Sequence, residues 1–308
     1  SAGLAYALVT WETMKIANIG LDGTLWDGGL GFEIDAFYRL REDILALPDS
    51  DIPFHFGASL PQTNLNSRDN RGFDLMLKHK GKIGNVSYSI NPMVSYSRGK
   101  YVSWEENILP TTGVDAATAK ANADYNRRYV LTGNWDDRQW GYQTNGFFTS
   151  QSQIDNHPVD MDGAGNVTLI VGNLIKIDQN GDGLIDWRDQ VVIGQGGMPK
   201  WNYSTNMSFK FKNWNLDMLW QGASGYSITF SGKASPWSHS GHQSVSKSFA
   251  YENRSIRGAN GDIEILRAFP PTFTTGGTPQ IDQPASDFNR IDAMYLRLKT
   301  VNLSYNVG

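Results

Sequence analysis

The run DQNGDGLIDWRD, from Asp178 to Asp189, spaces oxygen-bearing side chains as a calcium-binding loop requires. Asp178, Asn180 and Asp182 take alternate positions, and Gly183 supplies the sharp turn that wraps them around one point. Leu184 would offer its backbone carbonyl, Asp186 a direct or water-mediated contact, and Asp189 the closing carboxylate. An all-oxygen set suits a hard cation such as Ca2+, not zinc. Aspartate stands at the closing place where glutamate is usual, so bidentate closure is weaker. No helices flank the loop, and the expected role is structural. The plainer reading is a cluster of Asx turns in a solvated loop.

Other candidates carry less. His239 and His242 are the one close histidine pair, and without a third ligand at recognisable spacing they read as loop residues. Glu33/Asp35, Glu105/Glu106 and Asp136/Asp137 lack a positioned partner, so no catalytic role is assigned. Asn-x-Ser/Thr triplets at Asn85, Asn166, Asn202, Asn206, Asn253 and Asn302 read as polar strand and loop composition, not as glycosylation acceptors. Trp104, Trp135, Trp140 and Trp237 could stack on sugar rings, or could simply hold loops together.

The chain that must position these residues has 308 of them, 12% aromatic and 19% charged, with a mean hydropathy of −0.42. Aromatic-rich yet polar overall fits a wall that is apolar outside and wet inside, and also a secreted carbohydrate-binding sandwich. A net charge of −4 provides no basic footprint for nucleic acid. No stretch approaches the roughly 18 apolar residues of a spanning helix, which leaves spanning strands open. The absence of cysteine excludes disulfide frameworks and thiolate metal sites. Ser1 to Thr10 shows no signal-peptide pattern.

Period-two alternation recurs along the chain. Leu30, Phe32, Ile34, Ala36, Tyr38 and Leu40 share one parity, while Glu33, Asp35, Arg39 and Arg41 fall on the other. Val86, Tyr88, Ile90 and Val94 oppose Ser87, Ser89, Asn91 and Ser95, and Phe209 and Leu216 continue the apolar series. Short turns at 27–29, 81–84 and 212–213 alternate with long connections at about 42–70, 99–200 and 223–291. That is the pattern of short periplasmic turns and long extracellular loops in outer-membrane barrels. A compact sandwich would carry mostly short connections. Seven staves are predicted: Thr13–Trp26, Leu30–Arg41, Asn70–Lys80, Asn85–Ser97, Trp201–Phe211, Trp214–Gln221 and Tyr295–Val307. In the last, Val301, Leu303 and Tyr305 share parity with Arg297 and Lys299, which requires a bulge or a membrane exit. An odd number of staves cannot close a single-chain bacterial barrel.

Several segments resemble the SusC/RagA family of TonB-linked outer-membrane proteins. They are WETMKIANIGLDGTLWDGGLGFEIDAFYRLREDIL from Trp11, NRGFDLMLKHKGKIGNVSYSINPMVSYSRGK from Asn70 and WGYQTNGFF from Trp140. KIDQNGDGLIDWRDQVVIGQGGMPKWNYSTNMSFKFKNWNLDMLWQGASG from Lys176 and YLRLKTVNLSY from Tyr295 follow in the family's order. The resemblance implies an all-β, antiparallel transmembrane barrel of about 22 strands with a plug in its lumen. It also implies a SusD-like surface lipoprotein partner and energy delivered through the TonB complex. Nothing here resembles the plug, the TonB box or a signal sequence. Residues 1–308 are therefore expected to be the C-terminal-side portion of such a barrel, without its last strands.

The expected function is TonB-dependent import of glycans or peptides across the outer membrane, with no enzymatic step. Residues 99–200 are expected to form an extracellular loop region holding the calcium loop at 178–189. Two rivals stand beside it. One is a secreted glycan-binding or dockerin-like calcium module, although dockerins pair such a loop with helices. The other is a structural outer-membrane protein without transport.

Overall fold

A computed structural model describes residues 8–48, 60–171, 173–229, 256–257, 263–265 and 286–307. The alternating runs become long strands joined by tight turns. Strand β1 (Thr13–Leu25) turns through residues 26–29 into β2 (Leu30–Ala46), with Gly28 at φ +83°. Strand β3 (Thr63–Ile83) meets β4 (Val86–Ser103) across Gly84 and Asn85, with Gly84 at φ +58°. An excursion then carries helix α1 (Ala116–Tyr129), β5 (Arg138–Gly141), β6 (Thr144–Phe147), α2 (Gln151–Asp155), β7 (Leu174–Lys176) and β8 (Val191–Gln195). Strand β9 (Trp201–Phe211) turns through Lys212 and Asn213 into β10 (Trp214–Thr229). Short strands β11 (Ile256–Arg257) and β12 (Ile263–Ile265) precede β13 (Arg290–Tyr305).

Seven strands form one sheet in the order β1-β2-β3-β4-β9-β10-β13, every pair antiparallel. These are the seven staves expected from alternation. No strand intervenes between β4 and β9 in the sheet, so the whole excursion hangs from one end. Five of its strands extend well past the expected staves at that end: β2 to Ala46, β3 from Thr63, β4 to Ser103, β10 to Thr229 and β13 from Arg290. There Asn64, Asn66, Arg68 and Asp69 make β3 polar on both faces, so alternation is lost while backbone pairing continues.

Register carries each face across the whole sheet. Leu21 lies opposite Ile34, Ile34 opposite Leu75, Leu75 opposite Val94 and Val94 opposite Tyr203. The neighbouring row runs Gly20, Asp35, Asp74, Ser95, Asn202. A slip of one residue in any pair would exchange the two faces, so the consistency of the rows fixes the register. The conflict in the last stave resolves as a bulge: Leu219 pairs with Thr300 but Trp220 with Leu298, leaving Lys299 as the extra residue. Leu296 and Leu298 thereby join the apolar rows, and Arg297 stands opposite Gln221 in the polar ones. Gly222 is needed in its row, because a Cβ there would overlap the Tyr203 ring and the Tyr295 carbonyl. The Tyr203 hydroxyl donates to that carbonyl at 3.1 Å.

Among the described residues no protein core lies against the apolar face of the sheet; Ile19 is 75% exposed. Burial is concentrated in the excursion, where Phe148, Ile154, Met161 and Leu169 pack with Val171, Ile175 and Ile185. Within what alternation marks only as a long connection, the structure places the short strands β5 and β6 and a 14-residue helix. Asp115 caps α1, accepting from the amides of Ala117 and Thr118 at 3.0 Å each. The excursion also extends the sheet edge: Trp135 bridges Lys100, and the Asp136 amide donates to the Gly99 carbonyl at 3.1 Å.

Candidate functional site: a carboxylate loop beside a two-faced sheet

The Asp178–Asp189 loop sits in the excursion just before β8 and is organised by its own amides. Asp178 accepts from Gly181 at 2.7 Å and Gly183 at 2.8 Å. Asn180 Oδ1 accepts from the Asp182 amide at 2.8 Å, and Asp182 Oδ1 from the Leu184 amide at 3.0 Å. Gly181 and Gly183 take φ of +72° and +80°, where a side chain would be strained. Asp189 closes the ring from a fully buried position, accepting from Gln179 at 2.9 Å and Asp186 at 2.8 Å. Burial pushes the Asp189 carboxyl up, against those amides. Burial opposes ionisation of Asp178 as well, but the amides of Gly183 and Gly181 prevail and lower it.

Asp178, Asn180, Asp182 and Asp189 thus share one loop, while Asp186 turns away. Its carboxylate caps a 3-10 turn at Arg188 and pairs with the Arg188 guanidinium at 2.7 Å. Arg188 also reaches Asp182 at 3.2 Å. No cluster of three or more Asp, Glu or His side chains among the described residues gathers as a ready cage for a metal. The donor types and the turn fit a hard cation, and Arg188 competes for two of the donors. The bridge between Asp160 and the loop uses the Gly183 carbonyl, at 2.8 Å, and the Ile185 amide, at 2.9 Å. It does not use the Leu184 carbonyl, the expected backbone ligand.

That bridge reveals a companion loop missed in the sequence. Asp160 accepts from Gly163 at 2.8 Å and Gly165 at 3.1 Å, the same offsets by which Asp178 holds Gly181 and Gly183. The spacing D-x-D-G-x-G from Asp160 was its available signal. Trp104 meets Tyr101 edge-on, and Trp135 has the Arg98 guanidinium 4.2 Å from its ring centre. Glu33 pairs with Lys78 on the polar face, and Asp136 and Asp137 pair with Arg68 and Arg98 at the rim. These pairs are structural. His239, His242, Trp237 and Asn253 lie outside the described residues.

The apolar rows have a definite height. Leu30 to Leu40 is ten residue steps, about 33 Å at ~3.3 Å each, or about 25 Å in strands tilted by roughly 40°. That equals the apolar band of an outer-membrane barrel. Strand β4 leaves the band at Arg98 and Lys100, at the end where the excursion begins.

No family model matches the chain. It is 26% identical over 97% of its length to TonB-dependent receptor P26 of Formosa agariphila, and covers 28% of that protein. It is 25% identical over 59% of its length to TonB-dependent receptor SusC of Bacteroides thetaiotaomicron, and covers 16% of it. Its fold matches the RagAB peptide importer in the open-open state with a TM-score of 0.60 at 17% identity. That match covers 96% of this chain and 28% of the other. Over nearly its whole length the chain is similar to SusC- and RagA-like TonB-dependent receptors. It spans less than a third of the length of the relatives it matches. For a SusC/RagA-like barrel segment in the outer membrane, the apolar rows face lipid and the polar rows the lumen. No helix among the described residues is long and apolar enough to span a membrane, which says nothing of spanning strands.

Proposed function

We propose that this chain supplies wall and mouth to an outer-membrane importer energised through the TonB complex, with no covalent chemistry of its own. The two-faced sheet carries the reading: an apolar face of membrane height backs a polar face that would border an aqueous path. In this reading the tight turns lie in the periplasm and the 99–200 excursion lies outside the cell. Its folded core would give a SusD-like surface lipoprotein a fixed rim to seat on. Glycans are the substrate class taken first, following the sequence resemblance. Peptides are the second reading, favoured by the likeness to the RagAB peptide importer.

A structural calcium ion belongs to the same proposal. Asp178, Asn180, Asp182, the Leu184 carbonyl and Asp189 would hold it, with Asp186 direct or through water once Arg188 swings aside. The ion would neutralise the crowded carboxylates and stiffen the approach to β8.

Deleting the reading frame tests the import proposal, with uptake of fluorescent oligosaccharides and peptides followed in cells. Loss of one uptake class in the deletion, with the protein in the outer-membrane fraction of undeleted cells, is the expected result. Protein in the culture supernatant would favour the secreted module. Unchanged uptake of both classes would favour a purely structural barrel.

A further inference from the structure

Arg127 and Arg128 end α1, and Arg138 opens β5, so the fold brings together cations that are not adjacent in sequence. Their guanidinium carbons lie 5.3, 5.2 and 5.4 Å from the ring centre of Trp140. Elsewhere at the rim cations meet carboxylates, as Arg71 meets Asp69 and Arg98 meets Asp137. Here the acceptors are neutral. Arg127 donates to the carbonyls of Arg188 and Gln190, Arg128 to the Gln190 side chain at 2.8 Å, and Arg138 to the Val130 carbonyl at 3.0 Å. Arg127 has Asp124 at 3.8 Å, but among the described residues neither Arg128 nor Arg138 has a carboxylate at ion-pair distance. Asp136, the acid beside them, is taken by Arg68.

Arg128, Arg138 and the Arg68-paired Asp136 line a cavity of about 310 Å³, with Leu131 and the rings of Tyr101, Tyr129, Trp135 and Trp140 as its apolar wall. Its volume is at the lower end of small-molecule clefts. Arg138 Nε is buried without a hydrogen-bond partner. A buried charged donor left unmade is costly, and a ligand that drew the guanidinium toward the cavity would satisfy it. Burial first, and Arg128 next, lower the Arg138 pKa, with Glu106 opposing them. An added negative charge would offset the repulsion from Arg128.

We propose that this aromatic-walled cavity binds a carboxylate-bearing ligand, its anion between Arg128 and Arg138 and its ring or backbone against the aromatic wall. An arginine fork matches a carboxylate in a way that no neutral hydroxyl does. The aromatic walls favour an acidic sugar, and a peptide terminus offers the same anion. The site rests on the import reading only for the route its ligand takes.

The test is isothermal titration of the full-length transporter in detergent, at low salt, with D-glucuronate, glucose and glycylglycine. Saturable glucuronate binding is expected, with no glucose binding. Arg128→Gln and Arg138→Gln should each weaken it at least about tenfold, while Lys78→Gln on the lumen face leaves it unchanged. Glycylglycine binding more tightly than glucuronate would keep the anion site and assign it to a peptide terminus. Glucose binding as well as glucuronate, or undiminished affinity in an Arg128→Gln protein of unchanged melting temperature, overturns the proposal. Import that persists without such binding removes this site alone, and binding without import removes the import reading alone.

Discussion

Arginine in place of Ile34 should destabilise the barrel by roughly 2–4 kcal/mol, the cost of a cation at mid-depth on a lipid-facing wall. Ile34 stands in the apolar row between Leu21 and Leu75, near the middle of the β2 band, and is exposed on that face. An arginine at mid-depth is as far as it can be from either interface and snorkels poorly. Arginine in place of Asn91 is the control: it lies in the polar rows, opposite Asn206, where water is available. Chemical denaturation of the two variants in lipid vesicles measures the difference. Equal stability of the two proteins would mean that the faces have been assigned wrongly.

The second large effect is expected at Asp189, and it is local. Alanine there orphans the amides of Gln179 and Asp186, both now capped by a fully buried carboxylate. Both bonds are only part-buried, so water replaces some of what is lost, and the cost is about 1–3 kcal/mol together, enough to loosen the loop. Hydrogen exchange should then speed up across residues 177–190 and stay slow in β3 and β4. Calcium adds a smaller increment in the unsubstituted protein. At millimolar ion and a dissociation constant of about 10⁻⁴–10⁻³ M, the closed loop gains about 0.4–1.4 kcal/mol. Chelation should reverse that gain, and the Asp189→Ala protein should show none. If protection of the unsubstituted loop ignores calcium, the metal is lost from the account and only a hydrogen-bonded turn remains.

The sheet was legible because membrane burial imposes the simplest pattern a strand can carry. Leu30 to Leu40 must alternate to satisfy lipid and water at once, and even the bulge at Lys299 shows in the parity clash between Arg297 and Val301. Where the strands leave the membrane the constraint ends. Asn64 to Asp69 therefore gave no signal, although the backbone there still pairs, through shifts of register. The carboxylate loop was legible because its ligands are consecutive, and its companion at Asp160 was missed for want of a full ligand series. Arg188 holding Asp186 is a side-chain choice that spacing does not encode. The cavity beside Trp140 was illegible for another reason. Its arginines come from a helix end and a strand that meet only after the excursion folds.

The central claim is that the sheet crosses the outer membrane with its tight turns inside and the excursion outside. The chain contains no cysteine, so a single introduced thiol reports one position. Asn156, exposed at the end of α2, and Asn85, exposed in the β3–β4 turn, mark the two ends. With a membrane-impermeant maleimide, Asn156→Cys should label on intact cells and Asn85→Cys only after the outer membrane is permeabilised. Labelling of Asn85→Cys on intact cells, with Asn156→Cys silent until permeabilisation, would contradict the account.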